Sequence, residues 1–249
     1  MTMTKIEWTE KTWNPITGCT KVSPGCENCY AEVMSRRLRA MGREKYSEGF
    51  RLVAHEGALG EPSRWAKPSS IFVCSMSDIF HEKVSFEFID KIMDVINETK
   101  RHVYQLLTKR SSRMEEYFSN RPIPSNVWLG VTVECRAAKG RIGHLKGLAA
   151  GIRFLSVEPL VEDLGELDLA GIDWVIVGGE SGPKGRPMKP EWVRSVQRQA
   201  ELAKAAFFFK QWGTWGPDGV RRSKKANGEL FGGDGVRMRP GHNGPLNGL

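Results

Sequence analysis

Short apolar runs rich in β-forming residues alternate with helical segments along most of this 249-residue chain. The clearest runs span residues 71–74, 103–107, 127–133, 153–157, 174–177 and 206–209. Several are apolar throughout, as strands of a parallel sheet are when both of its faces are covered. Successive runs begin about 20 to 30 residues apart, which is the length of one strand–helix unit. The pattern therefore predicts an α/β fold built on a parallel sheet.

Helix signals lie between these runs. Ser85 is a typical N-cap residue, and the apolar residues over 89–96 recur at helical spacing. A second helix is predicted to start near Pro190, because proline suits the first turn of a helix. With a first strand placed just before Cys19, we predict a partial parallel (β/α) barrel with six or seven strands. An open doubly wound sheet is the alternative.

Composition limits the number of domains and the location of the protein. A chain with 40% hydrophobic residues can bury one large core, so residues 1–212 are predicted to form a single barrel. Residues 213–249 are rich in Gly, Pro, Lys and Arg and lack apolar periodicity, which predicts a C-terminal tail or lid. No apolar run reaches the ~18 residues of a membrane helix, and no signal peptide is evident. We expect a cytoplasmic protein without a membrane segment.

Three of the five cysteines, Cys19, Cys26 and Cys29, lie within eleven residues. Disulfides are rare in the cytoplasm, so clustered thiols favour metal binding there. Three thiolates bind a soft metal centre and leave a coordination position open, whereas a closed structural zinc site has four ligands. Cys74 and Cys135 stand apart and are predicted to be ordinary core or loop residues, because cysteine is often buried as a small hydrophobic residue.

Polar residues follow each predicted strand. The C-terminal ends of parallel strands lie on one rim of a barrel, where active sites are built, so we expect these residues to face the cysteines. They include Ser75, Ser77, Asp78, Thr108, Lys109, Thr132, Glu134, Ser156, Glu158, Glu180, Lys210 and Trp212. Polar residues also occur wherever a strand runs into a loop, but this explains less well a glutamate after three separate strands.

The segment over 14–31 resembles the start of radical S-adenosylmethionine enzymes, especially the branch related to spore photoproduct lyase. Its matching residues are Asn14-Pro15, Gly18-Cys19, Cys26 and Cys29-Tyr30-Ala31. The strand ends at 75–78 and 107–109 resemble that branch as well. Six residues separate Cys19 from Cys26, more than is usual in these enzymes. The chain also resembles the phage Gp37/Gp68 family from Ile6 to Trp212.

The resemblance to radical S-adenosylmethionine enzymes implies that Cys19, Cys26 and Cys29 hold a [4Fe-4S] cluster. S-adenosylmethionine would bind the fourth iron, and an electron from an external donor would cleave it to a 5′-deoxyadenosyl radical. The expected cofactor-binding residues are Ser75, Ser77, Asp78, Thr108, Thr132 and Glu158. The expected substrate-binding residues are Lys109, Glu180, Lys210 and Trp212, of which the last two suit a phosphate and a base.

The charge of the chain bears on its partner. A formal charge of +8 and a pI near 9.3 suit a nucleic acid or nucleotide, although such an excess also favours solubility. Four arginines follow the cysteines on a helical segment and form either a basic binding face or a solvated surface; they are Arg36, Arg37, Arg39 and Arg43. The favoured function is modification or repair of a nucleic acid or nucleotide by radical chemistry.

Two alternatives stay open. In the first, the chain is a zinc-binding nucleic-acid-binding module, in which the three cysteines gain a histidine or Cys74 as fourth ligand. Such a module has no need of six strands that end in polar groups. In the second, a barrel enzyme of another class uses Glu134, Glu158 and Glu180 for acid/base chemistry, and the cysteines only brace a loop.

Overall fold

A computed structural model describes residues 4, 6–231 and 236–240 of the chain. The chain divides into two compact units. The first comprises residues up to Val22 together with Cys29–Gly130 and Gly147–Gly151. The second comprises Ser23–Asn28, Val131–Lys146 and the residues from Ile152 onward.

The described residues contain nine strands, most of them at the predicted positions. They are β1 (Lys11–Trp13), β2 (Ile16–Thr17), β3 (Val53–Ala54), β4 (Ser70–Val73), β5 (Val103–Thr108), β6 (Val127–Thr132), β7 (Ile152–Val157), β8 (Trp174–Gly178) and β9 (Ala206–Gln211). Seven of them form a parallel sheet in the order β1-β4-β5-β6-β7-β8-β9. The short strands β2 and β3 form a separate antiparallel pair.

The strand order decides between the two predicted topologies. Neighbours in the large sheet follow chain order from one edge to the other. A doubly wound sheet reverses its order at a switch point, and this sheet has no such reversal, so the doubly wound alternative is wrong. The predicted α/β fold with a partial parallel barrel of six or seven strands is confirmed, with seven strands. Its first strand is β1, which ends at Trp13.

The described residues also contain six α-helices. They are α1 (Tyr30–Ala40), α2 (Phe86–Glu98), α3 (Ser111–Phe118), α4 (Arg141–Lys146), α5 (Pro190–Leu202) and α6 (Lys224–Asn227). The Ser85 hydroxyl accepts a hydrogen bond from the Phe88 backbone N–H at 3.2 Å, which confirms the predicted N-cap of α2. Helix α5 begins at Pro190, as predicted. None of the helices in the described ranges has the length and apolar character needed to cross a bilayer.

Residues after β9 pack against that strand. The backbone N–H of Phe209 donates to the Val236 carbonyl at 2.8 Å, and that of Met238 donates to the Phe207 carbonyl at 3.0 Å. Phe231 is buried, and its ring lies 5.3 Å from the Phe209 ring, centroid to centroid. The described part of the predicted tail therefore adds to the core of the second unit. The predicted boundary after residue 212 stays a prediction, and positions 232–235 and 241–249 of that tail lie outside the described residues.

Candidate functional site

The five cysteines fall into two groups by exposure. Cys19, Cys26 and Cys29 are partly exposed, and none of the five forms a disulfide. Cys74 and Cys135 are only 2% and 4% exposed, so both are buried residues. Cys19 and Cys29 belong to the first unit and Cys26 to the second. We call residues 18–29 the cysteine loop.

In the first unit, Asp78 joins the C-terminal ends of β4 and β5. It lies in the turn after β4 and is 6% exposed. Its carboxylate accepts hydrogen bonds from the Thr108 hydroxyl at 2.7 and 2.9 Å and from the Lys109 backbone N–H at 3.1 Å. The neighbouring strand ends thus meet as the parallel sheet requires. The structure brings together three of the predicted site residues, Asp78, Thr108 and Lys109.

Arg110 connects this cluster to the cysteine loop. Arg110 is 7% exposed, and its Nη1 lies 3.2 Å from Asp78 Oδ2 and 3.5 Å from the Cys19 sulfur. Nε donates to Glu82 at 2.8 Å. Burial raises the pKa of the Cys19 thiol to about 11, and the charge of Arg110 opposes that rise. Arg110 directly follows two predicted site residues at a strand end, but the sequence gives no sign of its contact with Cys19.

Thr20 and His81 extend the same network. The Thr20 hydroxyl accepts from Arg110 Nη2 at 2.8 Å and lies 2.9 Å from His81 Nε2. His81 Nδ1 accepts the Lys83 backbone N–H at 3.1 Å, so the ring proton of neutral His81 belongs on Nε2. Burial lowers the pKa of His81, which favours this neutral form. The sequence carried no signal for this pairing, since lone histidines have many structural roles.

Gly18 fixes where the cysteine loop begins. Its φ of +79° suits glycine, and a Cβ there would lie 1.9 Å from the Arg51 carbonyl oxygen. The Gly18 N–H donates to the Met76 carbonyl at 3.0 Å, and its carbonyl accepts from the Ser77 hydroxyl at 2.5 Å. The chain therefore passes too close to its neighbours for any side chain at position 18.

Ser75 forms hydrogen bonds with two residues of the first unit that flank the cysteine loop in sequence, Asn14 and Tyr30. Its hydroxyl donates to the Asn14 side-chain oxygen at 3.1 Å, and its carbonyl accepts from the Tyr30 hydroxyl. Asn14 also accepts the Met76 backbone N–H at 3.0 Å. The motif residues Asn14 and Tyr30 therefore both contact Ser75.

In the second unit, Glu134 anchors the middle of the cysteine loop. It follows β6, is fully buried, and accepts hydrogen bonds from the Ser23 hydroxyl and, at 2.8 Å, from Arg141 Nη1. A Cβ on Gly25 would lie 2.5 Å from Glu134 Cγ, so the loop backbone packs directly on this side chain. The Cys26 sulfur lies 3.6 Å from the Ser23 hydroxyl oxygen. Glu134 thus holds the turn that carries Cys26.

Glu180, which follows β8, anchors the same segment from another side. Its carboxylate is paired with Arg186, 2.6 Å from Nη2, and accepts from the Asn28 side-chain amide at 3.0 Å. Arg186 also donates to the Pro24 carbonyl at 2.9 Å. Burial opposes ionisation of Glu180, but the hydrogen bonds from Arg186 and Asn28 outweigh it and leave its pKa below the ordinary value. Both glutamates are engaged in ion pairs, which weakens the acid/base alternative.

The remaining predicted site residues of the second unit are placed differently. Glu158 Oε1 lies 3.2 Å from Lys210 Nζ, and both side chains are mostly buried. Thr132 is 2% exposed, and its carbonyl accepts from Arg141 at 2.7 Å. Trp212 is 3% exposed, with its ring against two phenylalanines and its N–H bonded to the Leu230 carbonyl at 2.9 Å. This packing makes Trp212 a core residue, and its predicted stacking on a base stays unsupported.

The side chains of Cys19, Cys26 and Cys29 have the chemistry of metal ligands. Three free thiols within eleven residues suit a soft metal or an iron-sulfur cluster. Across the part of the chain that the structure describes, no three His, Cys, Asp or Glu side chains are gathered closely enough to hold a metal ion. By donor type, the three cysteines fit a soft metal or an iron-sulfur cluster.

Solved structures to which this chain is similar include spore photoproduct lyases. A cysteine-to-serine mutant is 14% identical, with 91% of this chain and 73% of that chain covered at a TM-score of 0.48. A double mutant with bound AdoMet and dinucleoside spore photoproduct is 13% identical, with 76% and 60% covered at 0.43. A cysteine-to-alanine mutant with the dinucleoside is 13% identical, with 75% and 59% covered at 0.42. The chain thus spans about 60% of the ligand-bound lyase chains.

Sequence comparison places the chain in a family. No curated protein matches it. Residues 3–240 match the family described as "Protein of unknown function (DUF5131)". That match covers nearly the whole chain, and this protein belongs to the DUF5131 family.

Proposed function

We propose that this protein is an enzyme that holds a [4Fe-4S] cluster through Cys19, Cys26 and Cys29 and cleaves S-adenosylmethionine reductively. The observation that carries the proposal is the presence of three free, partly exposed thiols on one loop, in a chain whose other two cysteines are buried. When bound, such a cluster supplies the electron that cleaves the cofactor to methionine and a 5′-deoxyadenosyl radical.

Arg110 prepares Cys19 for this role. A thiol must lose its proton to bind metal, and burial alone works against that loss. The guanidinium beside the sulfur favours the thiolate and donates a hydrogen bond to it. Asp78 and Glu82 in turn hold Arg110 in place, at 3.2 and 2.8 Å.

Glu134 and Glu180 prepare Cys26. Their contacts fix residues 23–28 before any metal arrives, so the loop loses less conformational entropy on binding. We assign these two glutamates the role of positioning Cys26 and give them no proton-transfer step. This positioning role also gives a reason for a glutamate after each of the strands β6 and β8.

The remaining assignments are proposed on strand-end position. S-adenosylmethionine would be bound by residues among Ser75, Ser77, Asp78, Thr108, Thr132 and Glu158. Substrate would meet Lys109 and Lys210. The described contacts of Glu180 are with Arg186 and Asn28, and those of Trp212 are with the core. The substrate is a nucleic acid or nucleotide, as the charge of +8 favours, and an external donor supplies electrons in the cytoplasm.

Cofactor cleavage tests the proposal. Protein purified and reconstituted without oxygen should release 5′-deoxyadenosine from S-adenosylmethionine when dithionite is added. Replacement of Cys19, Cys26 or Cys29 by alanine should abolish the product, whereas Cys135→Ala, a change at a buried cysteine, should keep it. A colourless protein that retains zinc and forms no 5′-deoxyadenosine would refute the proposal and favour the zinc module.

A further inference from the structure

A cavity of about 1030 Å³ opens beside Cys19 in the first unit. Its walls come from α1, from the segment 48–52 that follows it, and from His81 and Lys83 after β4. Small-molecule sites span about 300–1,000 Å³, so this space is large enough for a nucleotide. Cys19 and Thr20 form one wall, so a bound molecule would lie next to a proposed cluster ligand.

The walls of this cavity carry an excess of positive charge. Its cations are Arg36, Arg39, Arg51 and Lys83. Its carboxylates, Glu32 and Glu48, are each already in an ion pair: Arg36 with Glu32 one helical turn earlier, and Arg51 with Glu48 at 2.9 Å. Both negative charges are therefore balanced within the cavity walls.

The other two cations of the cavity walls, Arg39 and Lys83, have no balancing carboxylate. Within the described residues, neither side chain forms an ion pair or a side-chain hydrogen bond. Two unbalanced cations on the walls of one cavity attract an anion and retain donors for it. Phe50 and Leu52 add apolar surface to the same walls, which suits a base or sugar next to a phosphate.

We infer that this cavity binds phosphate groups of the substrate, carried by a free nucleotide or by a nucleic-acid backbone, through Arg39 and Lys83. The assignment to substrate rests on the proposed function; the binding of phosphate does not. A concave site admits a narrow, flexible chain more readily than the convex surface of a folded acidic protein. The planar guanidinium also matches the oxygens of a phosphate.

Oligonucleotide binding tests this inference. Anisotropy of a fluorescently labelled single-stranded oligodeoxynucleotide is measured with the full chain, for wild type and for the double variant Arg39→Ala, Lys83→Ala. Two lost phosphate contacts should make the negative slope of log K against log salt shallower by about 1.4 and weaken binding about 25-fold at ~0.1 M salt. Arg37→Ala is the matched control, because Arg37 is an exposed residue of the same helix outside the cavity. It should bind like wild type.

Competitors identify the source of the phosphate. Displacement of the labelled oligonucleotide by ATP supports a free nucleotide as the ligand. Displacement by unlabelled oligonucleotide but not by ATP supports a nucleic-acid backbone. The inference is overturned if the double variant binds like wild type, if Arg37→Ala loses as much affinity, or if polyglutamate of equal charge competes as well as the oligonucleotide.

The same preparations separate this inference from the proposed function. Phosphate binding that depends on Arg39 and Lys83, without 5′-deoxyadenosine formation, would refute the proposed function and leave the inference standing. Cofactor cleavage together with unchanged oligonucleotide binding by the double variant would refute this inference and leave the proposed function standing. Thermal unfolding of each variant checks that the fold is retained.

Discussion

Replacement of Glu134 by alanine should destabilise the second unit and release the turn that carries Cys26. Glu134 is fully buried, and its partner Arg141 is 13% exposed at the side chain. Removal of one member of a buried ion pair costs roughly 3–5 kcal/mol. Arg141 retains some solvent and the Thr132 carbonyl, so we expect the lower end, about 3 kcal/mol.

For a chain of this length, such a loss lowers the melting temperature by roughly 6–12 °C. Differential scanning calorimetry measures it, and Glu27→Ala is the matched control from the same loop segment. The Glu27 ion pair with Arg186 is exposed, with Glu27 at 68%, so its loss should cost no more than about 1 kcal/mol. Mass spectrometry after brief alkylation should also show faster modification of Cys26 in Glu134→Ala, because Ser23 loses its acceptor.

A melting temperature of Glu134→Ala within about 2 °C of that of Glu27→Ala would contradict this prediction, since a buried pair and an exposed pair would then be equivalent. Glu134→Gln separates charge from shape. It keeps an acceptor oxygen for Ser23 and loses the ion pair, so its melting temperature should lie between those of wild type and the alanine variant.

Three further predictions concern Glu180, Gly18 and Arg110. Glu180 has a pKa below its ordinary 4.5, so its contribution to stability is present above that pH and is lost as the pH falls through the folded value. The difference in melting temperature between wild type and Glu180→Gln should therefore shrink from about pH 7 to about pH 3; a constant difference would contradict this. Gly18→Ala should cost at least about 2 kcal/mol in urea unfolding, because it combines an unfavourable φ with a clash against Arg51, whereas an unchanged midpoint would show that the segment shifts freely. Arg110→Met should raise the pKa of the Cys19 thiol further and slow its alkylation at fixed pH; equal rates in both proteins would exclude the guanidinium as the cause.

Most of the sheet could be predicted because its strands are continuous apolar runs. All six predicted runs coincide with β4 to β9, and the N-cap at Ser85 also lies where its side-chain chemistry requires. Strand β1 has only three residues and lies at an edge, so its apolar signal is weak. The pairing of Met238 with β9 could not be predicted, because nothing local in a glycine-rich segment indicates a partner.

The site could be predicted by residue type and less well by role. Strand-end position correctly singled out Asp78 and Thr108 as neighbours, since parallel strands bring their ends together. The partners of Glu180 could not be predicted: Asn28 lies 152 residues away in sequence, and no periodicity encodes that distance. The role of Trp212 could not be predicted either, because the sequence does not distinguish an aromatic residue that packs in the core from one that binds a ligand.

The central claim is that Cys19, Cys26 and Cys29 hold one iron-sulfur cluster. Iron, acid-labile sulfide and zinc per chain, measured on anaerobically reconstituted protein, test it most directly. We predict about four iron and about four sulfide in wild type and in Cys135→Ala, and a loss of both in each of the three single alanine variants. Stoichiometric zinc with no sulfide, or an iron content that falls equally in Cys135→Ala, would contradict the assignment.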